Sequence, residues 1–361
     1  MTYRAPGRVN LIGEHTDYNL GFVLPVAIEL ACRVTARPDG ERLHVRSRNV
    51  DDERVWAIQD VPALAPAGDW SDYVAGVARE IVRAGYPLEP VSLDIESDVP
   101  LGSGLSSSAS LEVSVALALL GPREVDRMEV ARICHRAEND FAGLPCGIMD
   151  HFTSLFGRSG HALLLDCRDL SWRAIPIPAG MTVLAVNTMV RHELGSTAYA
   201  TRVAECRSAC AAAGVASLRD LTPERLRAAG PGLLGEVPYR RARHVVHENQ
   251  RVLDFVAAAE RGDPARMREL MRESHESLRS DYEVSCDELD FLVDTACEIP
   301  GVVGARMTGG GFGGCTVNLV DPAVETEFRA RIGEAYRNRF GLAPEIYACQ
   351  PSCGAGKIGF E

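Results

Sequence analysis

No apolar run in this chain approaches the ~20 residues that a membrane span needs, and no cationic, apolar leader opens it. Both absences predict a cytoplasmic protein without membrane contact. Positive charge is also scarce. The 38 lysines and arginines face 50 aspartates and glutamates, for a formal net charge of −12. That sign excludes a general nucleic-acid or anionic-surface binder, which needs a positive face to meet phosphates, while leaving room for a local nucleotide pocket. A disulfide framework is absent as well: the eleven cysteines are odd in number, scattered, and mostly set in apolar runs, which suits reduced thiols. The pairs Cys206/Cys210 and Cys349/Cys353 lack zinc-site spacing. There is no solenoid-period repeat and no low-complexity tract.

What remains is ordinary globular composition, 46% hydrophobic and 24% charged over 361 residues, enough for one large or two moderate domains. Period-two alternation at 43–46 and 91–96 reads as strand, and further strands are expected at 162–165, 181–186 and 315–320. Helical spacing runs through Tyr73, Val74, Val77, Ile81 and Val82. The stretch from Leu111 to Leu120 is apolar nearly all round until Gly121-Pro122 stops it, which predicts a buried helix. Helices are expected over 127–140, 198–213, 242–260, 264–279, 286–298 and 323–338. The elements come without a βαβα rhythm, so the class is α+β rather than a doubly wound parallel sheet. A proline-bearing segment around 170–180 divides the chain into domains 1–175 and 176–361, and residues 216–238 read as a surface connection.

Four clusters combine glycine with short polar residues. Pro100 to Ser110, PLGSGLSSSAS, is a glycine and serine loop feeding the apolar helix. Gly102 and Gly104 let the backbone approach an anion, the helix start offers unpaired N–H groups, and the serines add hydroxyl donors and a ligand for phosphate-bound Mg²⁺. The loop holds no lysine and so fails the P-loop pattern. Near the start, PGRVNLIGEHTDY places Arg8, Glu14, His15 and Asp17 where carboxylates accept from paired hydroxyls and His and Arg donate, as a polyol requires. Read alone, the segment is more readily a turn with capping residues. Glu138-Asn139-Asp140 is followed by CGIMDH at 146–151, where Asp150 is either a site carboxylate or a helix cap. Met307 to Gly314, MTGGGFGG, has five glycines in six positions and fits a tight backbone wrap or a hairpin loop.

Together, PGRVNLIGEHTDYN, PLGSGLSSSAS, CGIMD and MTGGGFGGCTV resemble the GHMP small-molecule kinases, and within them the galactokinases, over nearly the whole chain. GEHTDY is the discriminating string, since mevalonate and homoserine kinases share the phosphate loop without it. The resemblance implies a two-domain GHMP fold with its active site in the interdomain cleft, and transfer of the ATP γ-phosphoryl group to the anomeric hydroxyl of α-D-galactose. By motif it implies that Glu14, His15, Asp17, Gly147, Asp150 and Tyr199 line the sugar, with Arg8 and Asp150 at the reacting hydroxyl. It further implies that Gly102, Ser103, Gly104, Leu105, Ser106, Ser107 and Ser108 cradle the phosphates, that Ser108 and Glu138 meet Mg²⁺, and that Trp70 contacts adenine. A monomer acting on D-galactose and ATP, with neither nucleic acid nor membrane as partner, is expected.

Two readings compete with it: a kinase for another sugar such as N-acetylgalactosamine or arabinose, and a non-catalytic galactose and ATP sensor. One departure from the family stands at His151, where galactokinases commonly carry glutamine; the imidazole is expected to make an amide's hydrogen bonds, with a pH-sensing role as the alternative. Leu20 is expected in surface packing. His244, His247 and Glu248 do not form a metal motif, and with the basic run Arg240, Arg241 and Arg243 they are expected on a solvated helix face.

Overall fold

The computed structural model describes residues 1–191 and 195–359, the side chains of 191, 195 and 196 excepted. In chain order it runs β1 (Thr2–Asn10), β2 (Phe22–Val23), β3 (Pro25–Pro38), β4 (Arg42–Ser47), β5 (Asp52–Ala57), α1 (Ser71–Arg83), β6 (Val91–Ser97), α2 (Ser107–Leu120), α3 (Arg127–Arg136), α4 (Met149–Phe156), β7 (His161–Asp166), β8 (Trp172–Pro176) and β9 (Thr182–Arg191). It continues through α5 (Gly195–Ala213), α6 (Pro223–Leu234), α7 (Glu236–Arg261), α8 (Pro264–Ser277), α9 (Asp287–Cys297), β10 (Val302–Thr308), β11 (Gly313–Val320), α10 (Glu325–Phe340), β12 (Glu345–Ala348) and β13 (Gly356–Ile358). The α+β expectation holds, and every strand and helix expected from periodicity is present within a few residues.

Among the described residues three sheets organise the fold. A six-stranded sheet has the order β13-β1-β3-β6-β4-β5, antiparallel throughout except for the parallel β4–β6 pair. A four-stranded antiparallel sheet has the order β10-β11-β9-β12, and β2-β7-β8 forms a third. The apolar helix α2 lies across β1 and β3 and packs on α1, α3 and α4, so its all-round hydrophobicity is spent on neighbours at every side. One core cluster gathers these helices over the first sheet; a second joins β1 and β3 to α7, α8 and β11. β1 is therefore buried along nearly its whole length. The last strand, β13, returns to pair with β1.

The structure corrects two expectations. Residues 216–238 are not a mere connection: Thr222 caps α6, Pro223 takes its first turn, and Leu226 and Leu234 enter a core cluster with α5 and α7, the helix kinking at Gly230. The polar face of α7 is not solvated. His244 and Glu248 are 0% exposed and Arg241 2%, because this face packs on the segment around Glu14 and on α8. Arg240 and His247 are half-buried and Arg243 exposed.

Candidate active site

Arg8, near the end of β1, ties together three of the four glycine-bearing segments. Just before it the β1–β3 register shifts between Pro6 and Arg8, turning the strand toward the loop after β6. Its backbone N–H donates to the Leu105 carbonyl at 3.1 Å, and its Nη1 to the Gly104 carbonyl at 2.5 Å. Its Nε and Nη2 donate to Asp150 Oδ1 and Oδ2 at 2.7 and 2.6 Å, a bidentate pair. Asp150 occupies the first turn of α4. Ser106, in the left-handed region at φ 63°, donates its hydroxyl to the same carboxylate rather than capping α2. A non-glycine residue held there is a strained position maintained by its surroundings.

Beside this cluster, Glu14, His15, Asp17, Gly147, Asp150 and Tyr199 line one cavity of about 170 Å³, with Arg8, Glu138 and Gly309 also in its wall. All six residues expected around a sugar are thus brought together. Burial, reinforced by the charge of Asp150, pushes the Asp17 carboxyl up to about 7. A Cβ at position 147 would stand 2.0 Å from Asp17 Oδ2, so only glycine leaves that carboxylate its place. Burial, and then the neighbouring His244, lowers His15 to about 3, leaving a neutral imidazole. Its Nδ1 and the Tyr18 hydroxyl share a 2.9 Å hydrogen bond, and Tyr18 in turn bonds Tyr282 at 2.7 Å. The rings of Tyr199 and Tyr282 stand 5.4 and 4.7 Å from that of His15.

Glu14 is held on both oxygens. Oε2 pairs with Arg306 Nη1 at 2.5 Å and accepts from Asn10 at 2.8 Å. Oε1 accepts from the Thr308 hydroxyl and the Gly309 N–H at 3.1 and 2.9 Å. Burial still raises Glu14, although Arg306 opposes it. Burial also raises Glu248 beneath, but Arg251, His244 and Arg306 outweigh it and hold that carboxylate at about 2.

The fourth cluster is the hairpin between β10 and β11, and it packs backbone to backbone on the serine loop. A Cβ on Gly309 would meet the Gly104 carbonyl at 3.0 Å, and one on Gly314 the Ser103 carbonyl at 2.9 Å. In the serine loop itself Gly102 is exposed, Ser103 and Leu105 are buried, and Ser107 and Ser108 are half-buried at the start of α2. The chain's single lysine, Lys357, lies on the edge strand β13, and the cation bonded to the serine loop is Arg8, through the Gly104 carbonyl. Trp70 is not in the cavity wall; its indole N–H donates to Asp52 at 3.0 Å and its ring lies beside Arg54.

Glu138 sits in a π-helical turn, Ala137–Phe141, that follows α3. Burial, with Glu112 adding to it, pushes its carboxyl up to about 7. The Cys146 thiol donates to it at 3.1 Å. His151, fully buried, pairs through Nε2 with Glu112 at 2.5 Å. The sequence reading missed Arg306, Thr308 and Glu112. Arg306 and Glu112 each carried a signal, being a charge inside an otherwise apolar strand or helix, and Thr308 stands inside the fourth glycine cluster without being singled out there.

Comparison with known proteins shows the family. Residues 1–38 match the galactokinase galactose-binding signature, 72–158 the GHMP kinases N terminal domain, and 255–338 the GHMP kinases C terminal domain. A galactokinase of Roseiflexus sp. is 45% identical over 98% of this chain and 92% of its own length. The galactokinase of Homo sapiens is 45% identical over 98% of this chain and 91% of its own. The crystal structure of Lactococcus lactis galactokinase complexed with galactose superposes with a TM-score of 0.95 at 35% identity, covering 99% of this chain and 95% of that one. A mevalonate kinase, at 18% identity and a TM-score of 0.72, shares the fold. With identity of this extent along nearly its whole length, the chain belongs to the galactokinases, the ATP-dependent sugar kinases within the GHMP kinase family.

Proposed function

We propose that this chain transfers the γ-phosphoryl group of ATP to the anomeric hydroxyl of α-D-galactose, giving galactose 1-phosphate and ADP. The observation that carries the reading is the position of Arg8, bonded at once to Asp150 in the cavity wall and to the Gly104 carbonyl of the serine loop. In this reading galactose fills the cavity, its hydroxyls donating to Asp17 and Glu14 and meeting His15 and Tyr199, and the phosphates lie along 102–108. Gly147 keeps the space that Asp17 needs. Trp70 remains our assignment for the adenine side.

The sugar C1 oxygen attacks the γ-phosphorus, the bond to the bridging β–γ oxygen breaks, and the hydroxyl proton passes to Asp150 or is retained by the phosphate being formed. Phosphoryl transfer is mostly positioning and charge stabilisation. Arg8 lowers the cost of the developing alkoxide, and Asp150, already fixed on both oxygens, orients the hydroxyl. The α2 start contributes about 0.3–2 kcal/mol toward an anion, too little to hold a triphosphate alone. Mg²⁺ fits the remainder: the Ser108 hydroxyl and the Glu138 carboxylate are hard oxygen donors, and Glu138 is a buried carboxylate beside a second one, Glu112. Bound there, the ion would neutralise charge on the β- and γ-phosphates.

We further assign two domains, 1–175 and 176–361, with the two GHMP-matching regions falling one in each. A cytoplasmic location is the reading supported by eleven free cysteines, and a monomer is assigned with it. Among the described residues no helix is long and apolar enough to cross a membrane.

The test is ADP release from Mg·ATP against D-galactose, N-acetylgalactosamine, L-arabinose, galacturonate, glucose and mevalonate. Turnover confined to galactose and close analogues is expected. Turnover with another sugar alone would overturn the substrate, and silence with calorimetric galactose binding intact would leave a sensor.

A further inference from the structure

Behind one wall of the cavity three segments converge. Glu138 comes from the π-helical turn, Cys146 from the loop before α4, and His151 from the first turn of α4. Glu138 Oε2, Cys146 Sγ and His151 Nε2 all lie within 4.8 Å of one another. Sγ stands 3.1 Å and Nε2 3.4 Å from that oxygen. Glu112 Oε2 approaches the same Nε2 to 2.5 Å. The other Glu112 oxygen and His151 Nδ1 are buried without a hydrogen-bond partner among the described residues.

The two separations from Glu138 suit a tetrahedral ion, which would have to displace the Glu112 hydrogen bond on His151 Nε2. Bonds of about 2.0–2.3 Å to oxygen, nitrogen and sulfur set ligand–ligand edges of about 3.3–3.6 Å, within a few tenths of an ångström of the two separations above. The donor set is also the wrong one for Mg²⁺, which takes oxygens, and the right one for a borderline-soft ion that accepts thiolate, imidazole and carboxylate together. We propose that Glu138, Cys146 and His151 form a site for a divalent cation of the zinc class, and that this ion withholds Glu138 from Mg²⁺. The second half rests on the role given above to Glu138.

The charge balance supports it. Two carboxylates and a thiol crowd one buried imidazole, donors that a dication would draw together. His151 is the residue that completes the set, since an amide in its place would supply no imidazole nitrogen.

The experiment begins with protein stripped by chelator and titrated with Co²⁺ as a spectroscopic stand-in for zinc. A thiolate-to-cobalt charge-transfer band saturating at one equivalent and bleached by Zn²⁺ is expected. Cys146→Ser should abolish the band, and His151→Gln should weaken Co²⁺ affinity tenfold or more. The unmodified protein gives a check that needs no variant: Zn²⁺ should slow alkylation of Cys146, read by peptide mass spectrometry, while exposed Cys353 reacts at an unchanged rate. No band, a band that survives Cys146→Ser, unchanged affinity in His151→Gln, or no protection of Cys146 would each overturn the site. In the ADP-release assay Zn²⁺ should inhibit, and excess Mg²⁺ should relieve it. Binding without that competition would uphold the site and overturn the shared use of Glu138.

Discussion

Replacing Asp17 by asparagine should stabilise the ligand-free protein at alkaline pH while removing its hold on galactose. Burial and the nearby Asp150 charge lift the Asp17 carboxyl from 3.8 to about 7. A carboxyl whose folded value lies above its unfolded value binds its proton more tightly in the folded chain. Its contribution to stability is therefore fully present below about 3.8 and is lost as pH rises through about 7. A shift of about three units corresponds to about 4 kcal/mol across the whole window. Between about pH 5.5 and about pH 8 only the upper part is crossed, about 2 kcal/mol. Asparagine keeps the shape and carries no such titration, so the stability gap between variant and parent should widen by about that amount over this interval. For a chain of this length 2 kcal/mol is about 3 °C in Tm. The assay is thermal unfolding of both proteins at the two pH values without ligand. A gap that stays constant, or narrows as pH rises, would refute the reasoning. Calorimetry of the same variant should show galactose affinity reduced about tenfold to a hundredfold, because a charge-assisted acceptor worth about 1.5–3 kcal/mol is gone.

Asp150→Asn should lower kcat by about 10²–10⁴ in steady-state assays and change the galactose KM only a few-fold; turnover near that of the parent would remove Asp150 from the chemistry. Gly147→Ala puts a methyl 2.0 Å from Asp17 Oδ2. The displaced carboxylate should cost about 1–3 kcal/mol, read as a raised galactose KM with the ATP KM steady; a shift in the ATP KM alone would contradict the pocket assignment. Arg306→Met leaves Glu14 buried without its cation, and urea unfolding should report a loss of about 3–5 kcal/mol; a loss under about 1 kcal/mol would show that Asn10, Thr308 and Gly309 suffice for Glu14. Ser108→Ala should raise the Mg²⁺ concentration needed for half-maximal turnover, and an unchanged requirement would count against its place at the ion.

The sequence displayed the site more openly than the scaffold that holds it. Its four glycine-bearing segments are local strings, and the fold brings three of them together at Arg8 and packs the fourth on the serine loop. β1 was invisible to periodicity because it is buried along nearly its whole length and so never alternates. The parallel pairing of β4 with β6 and the return of β13 to β1 are non-local and leave no mark in any window of the chain. Polarity misled on α7. Arg241, His244 and Glu248 recur at helical spacing, which marks a face but not its direction. Here that face points inward, where His244 meets the Glu14 carbonyl at 3.1 Å and Glu248 accepts from Ser274 at 2.6 Å. α6 was hidden by Gly230-Pro231 within it, residues that elsewhere signal a turn.

The inward face of α7 also explains why so many charges are buried around one sugar motif. Glu14 is held by Arg306 from β10, by Gly309 from the glycine hairpin and, through its backbone, by His244 from α7. Arg8, earlier in the same segment, is fixed to the serine loop and to α4. The segment from Arg8 to Asp17 is thus clamped at one end by the first sheet's helices and at the other by the second half of the chain. In the proposed reading, a sugar bound along it would be registered against both glycine loops at once. Such preorganisation suits a reaction in which the protein contributes placement and charge rather than a covalent partner. It follows that changes at His244 or Arg306, neither of them in the cavity wall, should act on catalysis by loosening the alignment of sugar and phosphate.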